Sequence, residues 1–173
     1  DGKNEATNAA AYLQADKKLL KEKLMLSAGL RYENFTVNDE DQSAPVFRAG
    51  ANYHLFQATY LRASYGQGFR FPTIGERYIR TSVGKLNIYP NPDLDPERSW
   101  NIEGGIKQGF KIGKFMGFVD AVVFQQEFTD YIEFTFGQWG NPLDVQNFLG
   151  LGFRSANTGG ARVTGYELEL AGK

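Results

Sequence analysis

Residues 61–78 read LRASYGQGFRFPTIGERY, and the fold turns on how this stretch is parsed. From Leu61 to Gly68 the residue types alternate. Leu61, Ala63 and Tyr65 fall on one side and Arg62, Ser64, Gly66 and Gly68 on the other, the period-2 pattern of a strand with two unlike faces. The alternation then runs into Phe69-Arg70-Phe71-Pro72. Proline has no N–H to give to a ladder, so pairing stops near Pro72. In an extended chain Phe69 and Phe71 share a side, and Arg70 continues the row of Arg62, Gly66 and Gly68. A strand that ends this way needs something for its arginine to hold.

The same alternation recurs on both sides of this stretch. Residues 24–33 set Leu24, Leu26, Ala28, Leu30 and Tyr32 against Met25, Ser27, Gly29, Arg31 and Glu33. Residues 47–54 oppose Phe47, Ala49, Ala51 and Tyr53 to Arg48, Gly50, Asn52 and His54, and residues 100–107 oppose Trp100, Ile102 and Ile106 to Asn101, Glu103 and Lys107. In residues 164–170, Tyr166, Leu168 and Leu170 oppose Glu167 and Glu169. Residues 115–134 read as one long strand with apolar groups on both faces. Val119, Ala121 and Val123 are taken as the greasy face because Asp120 and Gln126 lie on the other. Residues 8–26 carry helix formers throughout, so an amphipathic helix is the alternative there; the reading preferred is strand, tight turn, strand, with the turn near 16–23.

Composition narrows the class. The chain has 173 residues, with 19 basic and 20 acidic side chains and a formal charge of −1, a balance that argues against a nucleic-acid binder. There is no cysteine, which excludes a disulfide scaffold, a thiolate zinc site and a cysteine nucleophile. The sequence contains no Gly-x-Ser-x-Gly, His-Glu-x-x-His or phosphate loop. Glu167 and Glu169 read as wall charges rather than a glycosidase pair. Residues 39–42, DEDQ, lack the glycine and terminal glutamate of an EF-hand and read as a loop tip. No enzymatic activity, metal site or cofactor is expected.

Connection lengths then set the architecture. Short ones are expected near 17–22, 55–58 and 111–114, long ones at 35–45, 70–98 and 137–156. Strands of about ten residues with long loops all at one end are the layout of an outer-membrane barrel. The expected fold is therefore all-β, an antiparallel up-and-down transmembrane β-barrel segment of about seven strands. Tyr32, Tyr53, Tyr65 and Trp100 end the apolar faces as girdle aromatics would. On this reading Arg31, Glu33, Arg48, Arg62, Glu103, Lys107, Glu167 and Glu169 line a wet lumen. In a soluble β-sandwich, the alternative, they would be a solvated surface.

At this point several segments, in order, resemble TonB-dependent outer-membrane receptors. They are LSAGLRYENF at 26–35, LRASYGQGFRFPTIGERY at 61–78, NPDLDPERSWNIEGG at 91–105 and NTGGARVTGYELEL at 157–170. The resemblance implies a wall segment of a roughly 22-stranded barrel that surrounds a plug domain. The whole of residues 1–173 is then one part of the barrel domain. The plug and the N-terminal TonB-contact segment lie outside this chain. Implied partners are the lipid bilayer, the plug, the remaining barrel strands, TonB and a transported ligand, in the outer membrane of a Gram-negative cell. The implied function is active uptake of a scarce ligand: siderophore, haem, cobalamin, oligosaccharide or peptide. A passive porin or adhesin-like barrel is the rival.

Phe69-Arg70-Phe71-Pro72 and Asn91-Pro92-Asp93-Leu94 resemble the Phe-Arg-Ala-Pro and Asn-Pro-Asn-Leu boxes of haem receptors in that family. The segment between them has no histidine, and Tyr78 or Tyr89 is the oxygen donor available there. The chain's one histidine, His54, is expected near a short turn at the opposite end. Rim-anchoring or ligand-proximal candidates are Phe69, Arg70, Phe71, Pro72, Tyr78, Asn91, Asp93, Asp95, Glu97 and Trp139. Arg70 is expected to anchor the returning loop through Asp93, Asp95 and Glu97. Trp139, Phe148 and Phe153 would suit the rings of a ligand.

Overall fold

A computed structural model of the protein describes residues 3–84 and 86–173. The elements run β1 (Ala6–Leu19), β2 (Leu24–Val37), β3 (Glu40–Phe56), β4 (Thr59–Arg70), α1 (Ile74–Tyr78), β5 (Thr81–Val83), β6 (Leu86–Tyr89), β7 (Glu97–Ile112), β8 (Phe115–Thr129), β9 (Ile132–Gln138), β10 (Leu151–Asn157) and β11 (Ala161–Gly172). Seven long strands form one sheet in the order β1-β2-β3-β4-β7-β8-β11, every neighbouring pair antiparallel. This is the barrel-type sheet the alternation predicts.

Register confirms which residues share a face. Leu13, Leu30 and Phe47 stand in one row, and Leu61, Ile106, Ala121 and Leu168 in another. On the opposite face Arg48, Gly66, Asn101, Gln126 and Val163 are aligned. So are Asn52, Arg62, Gly105, Val122 and Glu167. The choice of Val119, Ala121 and Val123 as the greasy side of β8 agrees with this register. Along the apolar face Leu13 is 73% exposed and Leu168 74%. So large an uncovered apolar surface demands apolar surroundings.

The two ends of the sheet differ. Turns 20–23, 57–58 and 113–114 lie at one end; connections 38–39, 71–96 and 130–160 lie at the other. Residues 8–26 form the hairpin rather than the helix. Leu13 pairs with Leu30 and Lys17 with Leu26 along the full length of β2, and cross-strand pairing outweighs local helix propensity.

Three expectations need correction. Residues 35–45 are not a long loop, because Val37 pairs with Glu40 across a two-residue turn in which Asn38 has φ 54°. Of the polar run 39–42, Asp39 sits in that turn, as a loop tip would, and residues 40–42 open β3, which at 17 residues spans about 56 Å at about 3.3 Å per residue. That is twice the apolar band of about 25 Å in such barrels; above it both faces meet water and the alternation fades. Residues 115–134 are not one strand either. β8 ends at Thr129, Asp130 turns the chain at φ 56°, and β9 joins a different sheet.

That second sheet is the third correction. Connections 71–96 and 130–160 are not plain loops; they combine as β5-β6-β10-β9, with β10 parallel to β6. The best-buried side chains of the described residues, Leu94, Val37 and Pro72, lie at this loop end. The packed core thus joins the crown of loops to the strand tops. The long sheet itself has an exposed apolar face and a charged one.

Candidate functional site

Arg70, the last residue of β4, is paired with Glu97, the first of β7. Its Nε donates to Glu97 Oε2, and its Nη1 donates to both carboxylate oxygens of Glu76 at 3.0 Å. The other oxygen of Glu97 accepts the backbone N–H of Ile132 at 2.7 Å. Glu76 in turn accepts the N–H of Thr73 at 2.7 Å while the Thr73 hydroxyl accepts the N–H of Glu76, a capping box at the start of α1. One guanidinium therefore ties together β4, α1, β7 and β9. The hydrogen bond from Arg70 holds the Glu97 carboxyl below its usual range, opposed by burial and assisted by the Ile132 N–H. The same contacts raise Arg70 above its ordinary value, the Glu97 bond first. The flanking phenylalanines lock the strand end. Phe71 stacks on Phe35 at 4.8 Å and meets the edge of Phe69 at 4.5 Å. Pro72 is among the most buried side chains.

The returning box is a clamp. Asn91 donates from its amide to the Ser155 carbonyl at 2.9 Å and from its backbone N–H to Arg77 O at 2.8 Å. Arg77, 5% exposed, donates to the Pro92 carbonyl at 2.9 Å and to Glu40 at 2.6 Å; its guanidinium lies 5.4 Å from the Tyr78 ring centroid. Leu94 is 1% exposed. The side chains of Asp93 and Asp95 are not among Arg70's partners, and both residues are exposed. Asp95 contributes through its backbone, exchanging hydrogen bonds with the Asn157 side chain at 2.9 and 3.0 Å. The Arg70 anchor thus uses Glu97, as read from the sequence, with Glu76 where Asp93 and Asp95 were expected. Glu76, Arg77, Glu40 and Asn157 were missed. The Thr73-x-x-Glu76 capping pattern was the one available signal among them.

On the charged face of the long sheet, Arg62 donates to Asp120 at 2.8 Å and lies 3.5 Å from Glu103. Lys107 sits 4.0 Å from Asp120 and over the Phe118 ring. Asp120 is 7% exposed, and its Oδ1 has no partner. Arg31 pairs with Glu33 at 3.0 Å. Glu167 and Glu169 stand opposite Val122 and Asp120, and Arg48 has no carboxylate partner among the described residues. His54 stacks on Tyr60 beside the short turn 57–58, as expected. No cluster of three or more metal-ligating side chains occurs among the described residues. Trp139 lies at the end of β9, with the Arg154 guanidinium 4.9 Å from its ring centroid.

A family model described as TonB dependent receptor-like, beta-barrel, matches residues 1–173. The haemoglobin and haemoglobin-haptoglobin-binding protein of Haemophilus ducreyi is 28% identical over 134 residues, covering 73% of this chain and 13% of that protein. The heme/hemopexin utilization protein C of Haemophilus influenzae is 28% identical over 195 residues, covering 95% of this chain and 25% of that protein. The chain thus spans a quarter or less of these curated relatives. Among solved structures, a double mutant of the Serratia marcescens hemophore receptor HasR, in complex with its hemophore HasA and heme, superposes with a TM-score of 0.81 at 18% identity. It covers 97% of this chain and 32% of that one. The copper transporter OprC superposes at 0.66 with 20% identity, covering 94% and 26%.

Proposed function

Because the chain belongs to the TonB-dependent receptor-like β-barrel family, we propose that it is a wall segment of a receptor that imports an iron-bearing ligand across a Gram-negative outer membrane. Energy comes from TonB. The crown at 71–96 and 130–160 captures the ligand outside, a plug supplied by the rest of the protein closes the lumen, and TonB rearranges that plug. The observation that carries this reading is the two-ended sheet: a hydrogen-bonded crown over a buried core at one end and short turns at the other. The apolar face then meets lipid. Arg31, Glu33, Arg48, Arg62, Glu103, Lys107, Glu167 and Glu169 meet the plug and the water around it. The mixed signs suit a surface that must release its neighbour, since exposed ion pairs are worth about 0–1 kcal/mol each.

The two Haemophilus relatives, a haemoglobin-binding and a heme/hemopexin utilization protein, support an iron-bearing ligand, with haem first to test. The two boxes do not add to that case. Arg70, Asn91 and Leu94 are occupied in holding the crown together, a task any ligand would require of them.

The test is uptake by iron-starved cells carrying or lacking the full-length protein, with radiolabelled haem and a ferric siderophore, each with and without TonB. Accumulation that needs both the receptor and TonB is expected. Accumulation that survives loss of TonB would replace this reading with the passive porin.

A further inference from the structure

The polar side of the β5-β6-β10-β9 sheet holds an arginine with no counter-charge among the described residues. Of the described arginines that are not exposed, Arg62 and Arg77 each pair with a carboxylate. Arg154 pairs with none. Glu133, the nearest acid along β9, sits two residues beyond Thr135, the residue opposite Arg154, and the two form no ion pair.

The setting of Arg154 is built for a flat group. Its guanidinium lies 4.9 Å from the centroid of Trp139. Gly137 and Gly152 face each other across β9 and β10; a Cβ at Gly152 would run into the backbone carbonyl of Asn87, and one at Gly137 would press on its aromatic neighbour. A Cβ on Gly137 would lie 3.0 Å from the Trp139 ring, and one on Gly152 would lie 2.8 Å from the Tyr89 ring. A Cβ on Gly140 would lie 2.5 Å from the Tyr89 hydroxyl. Bare backbone thus lets two aromatic rings lie against one sheet face, and the arginine is held against one of them. Arg154 Nε and Trp139 Nε1 are both buried without an acceptor, a costly arrangement for two N–H groups. Among the described residues the terminal guanidinium nitrogens have no acceptor, and unlike Nε they are not fully buried.

A guanidinium fixed on an aromatic face, with its fork free, matches a carboxylate in two-point geometry and loses little side-chain freedom on binding. We propose that Arg154, positioned by Trp139 over Gly137, is a recognition site for a carboxylate of the imported ligand. This rests on the uptake reading, and it narrows the ligand to one that bears a carboxylate arm.

The test is equilibrium titration of the full-length receptor in detergent with haem, haem dimethyl ester and ferric citrate. Arg154→Gln should weaken whichever acid probe binds by about 10- to 100-fold, the range of one charge-assisted pair. It should leave the ester's affinity unchanged. Arg154→Lys, which keeps the charge and loses the fork, should fall between. Hydrogen exchange across 132–157 shows whether the sheet survives each variant; if Gln loosens it, the Lys variant and the acid-to-ester comparison decide. Equal affinity of wild type and Gln variant for the acid probe overturns the proposal. So does an equal loss for acid and ester, or a wild type that binds neither acid. Uptake without TonB judges the transport reading separately: its persistence overturns that reading and leaves the titration to decide the site.

Discussion

Replacing Arg70 with alanine strands two carboxylates. Glu97, 8% exposed, would keep only the Ile132 N–H at 2.7 Å; Glu76 would keep its bonds within the capping box. The Arg70 side chain is 42% exposed, so solvent screens its bond to Glu76, which is worth about 0.2–1 kcal/mol. The Glu97 bond dominates, since a buried carboxylate left short of donors costs about 1–3 kcal/mol. Together the loss is about 1–4 kcal/mol, roughly 5- to 700-fold in a local opening equilibrium. That is too little to dismantle seven hydrogen-bonded strands, so the receptor should assemble normally. Hydrogen–deuterium exchange on the full-length protein should quicken across 71–97 and 130–138 and stay unchanged around 20–23 and 57–58. A Glu97→Gln background should remove most of the effect, a coupling of about 1–2 kcal/mol. Unchanged exchange across 71–97, or acceleration spread evenly over both ends, would refute the hub.

Other outcomes follow from the same contacts. The Glu97 carboxyl is held below its ordinary 4.5, so its stabilisation is complete above that value and drains away as pH falls through the lowered one; limited proteolysis of the crown should rise only on that acid side. Leu30→Arg, on the apolar face, should cost about 2–4 kcal/mol in a refolding assay if it sits near mid-membrane, whereas Arg48→Gln should cost under about 1 kcal/mol. Equal defects would reverse the assignment of faces. Asn91→Ala should loosen 151–157 by about 1–3 kcal/mol in exchange measurements, because it leaves the buried Ser155 carbonyl without its donor. Asp93→Ala, at an exposed side chain, should stay within about 0.5 kcal/mol.

What could be read from the chain follows where two solvents meet it. Between lipid and lumen each strand must alternate, so Leu26/Ser27, Leu61/Arg62 and Leu168/Glu167 gave their faces away. Above the bilayer that constraint lapses, and the top of β3 passed for a loop. Glu97 was legible as one of three acids that could hold Arg70, beside Asp93 and Asp95, because an arginine at a strand end faces the segment that returns to it. Glu76 and Arg77 were not, since a helix of five residues carries no periodicity to read. The pairing of β6 with β10 joins residues more than 60 apart in the chain (Asn87 with Gly152), and no local pattern announces a partner so distant.

That parallel ladder has a consequence for anyone who would exchange loops between receptors. The crown's two excursions are halves of one object. β5 and β6 come from the first and β9 and β10 from the second, joined by backbone pairing at 87–89 with 152–154 and by the Asn91 bond to Ser155. A chimaera that imports 71–96 from a relative arrives with a sheet edge cut for a different mate, and so does one that imports 130–160. The transplantable module is the pair, carried with Glu97 at its root, and selection on either loop is felt by both.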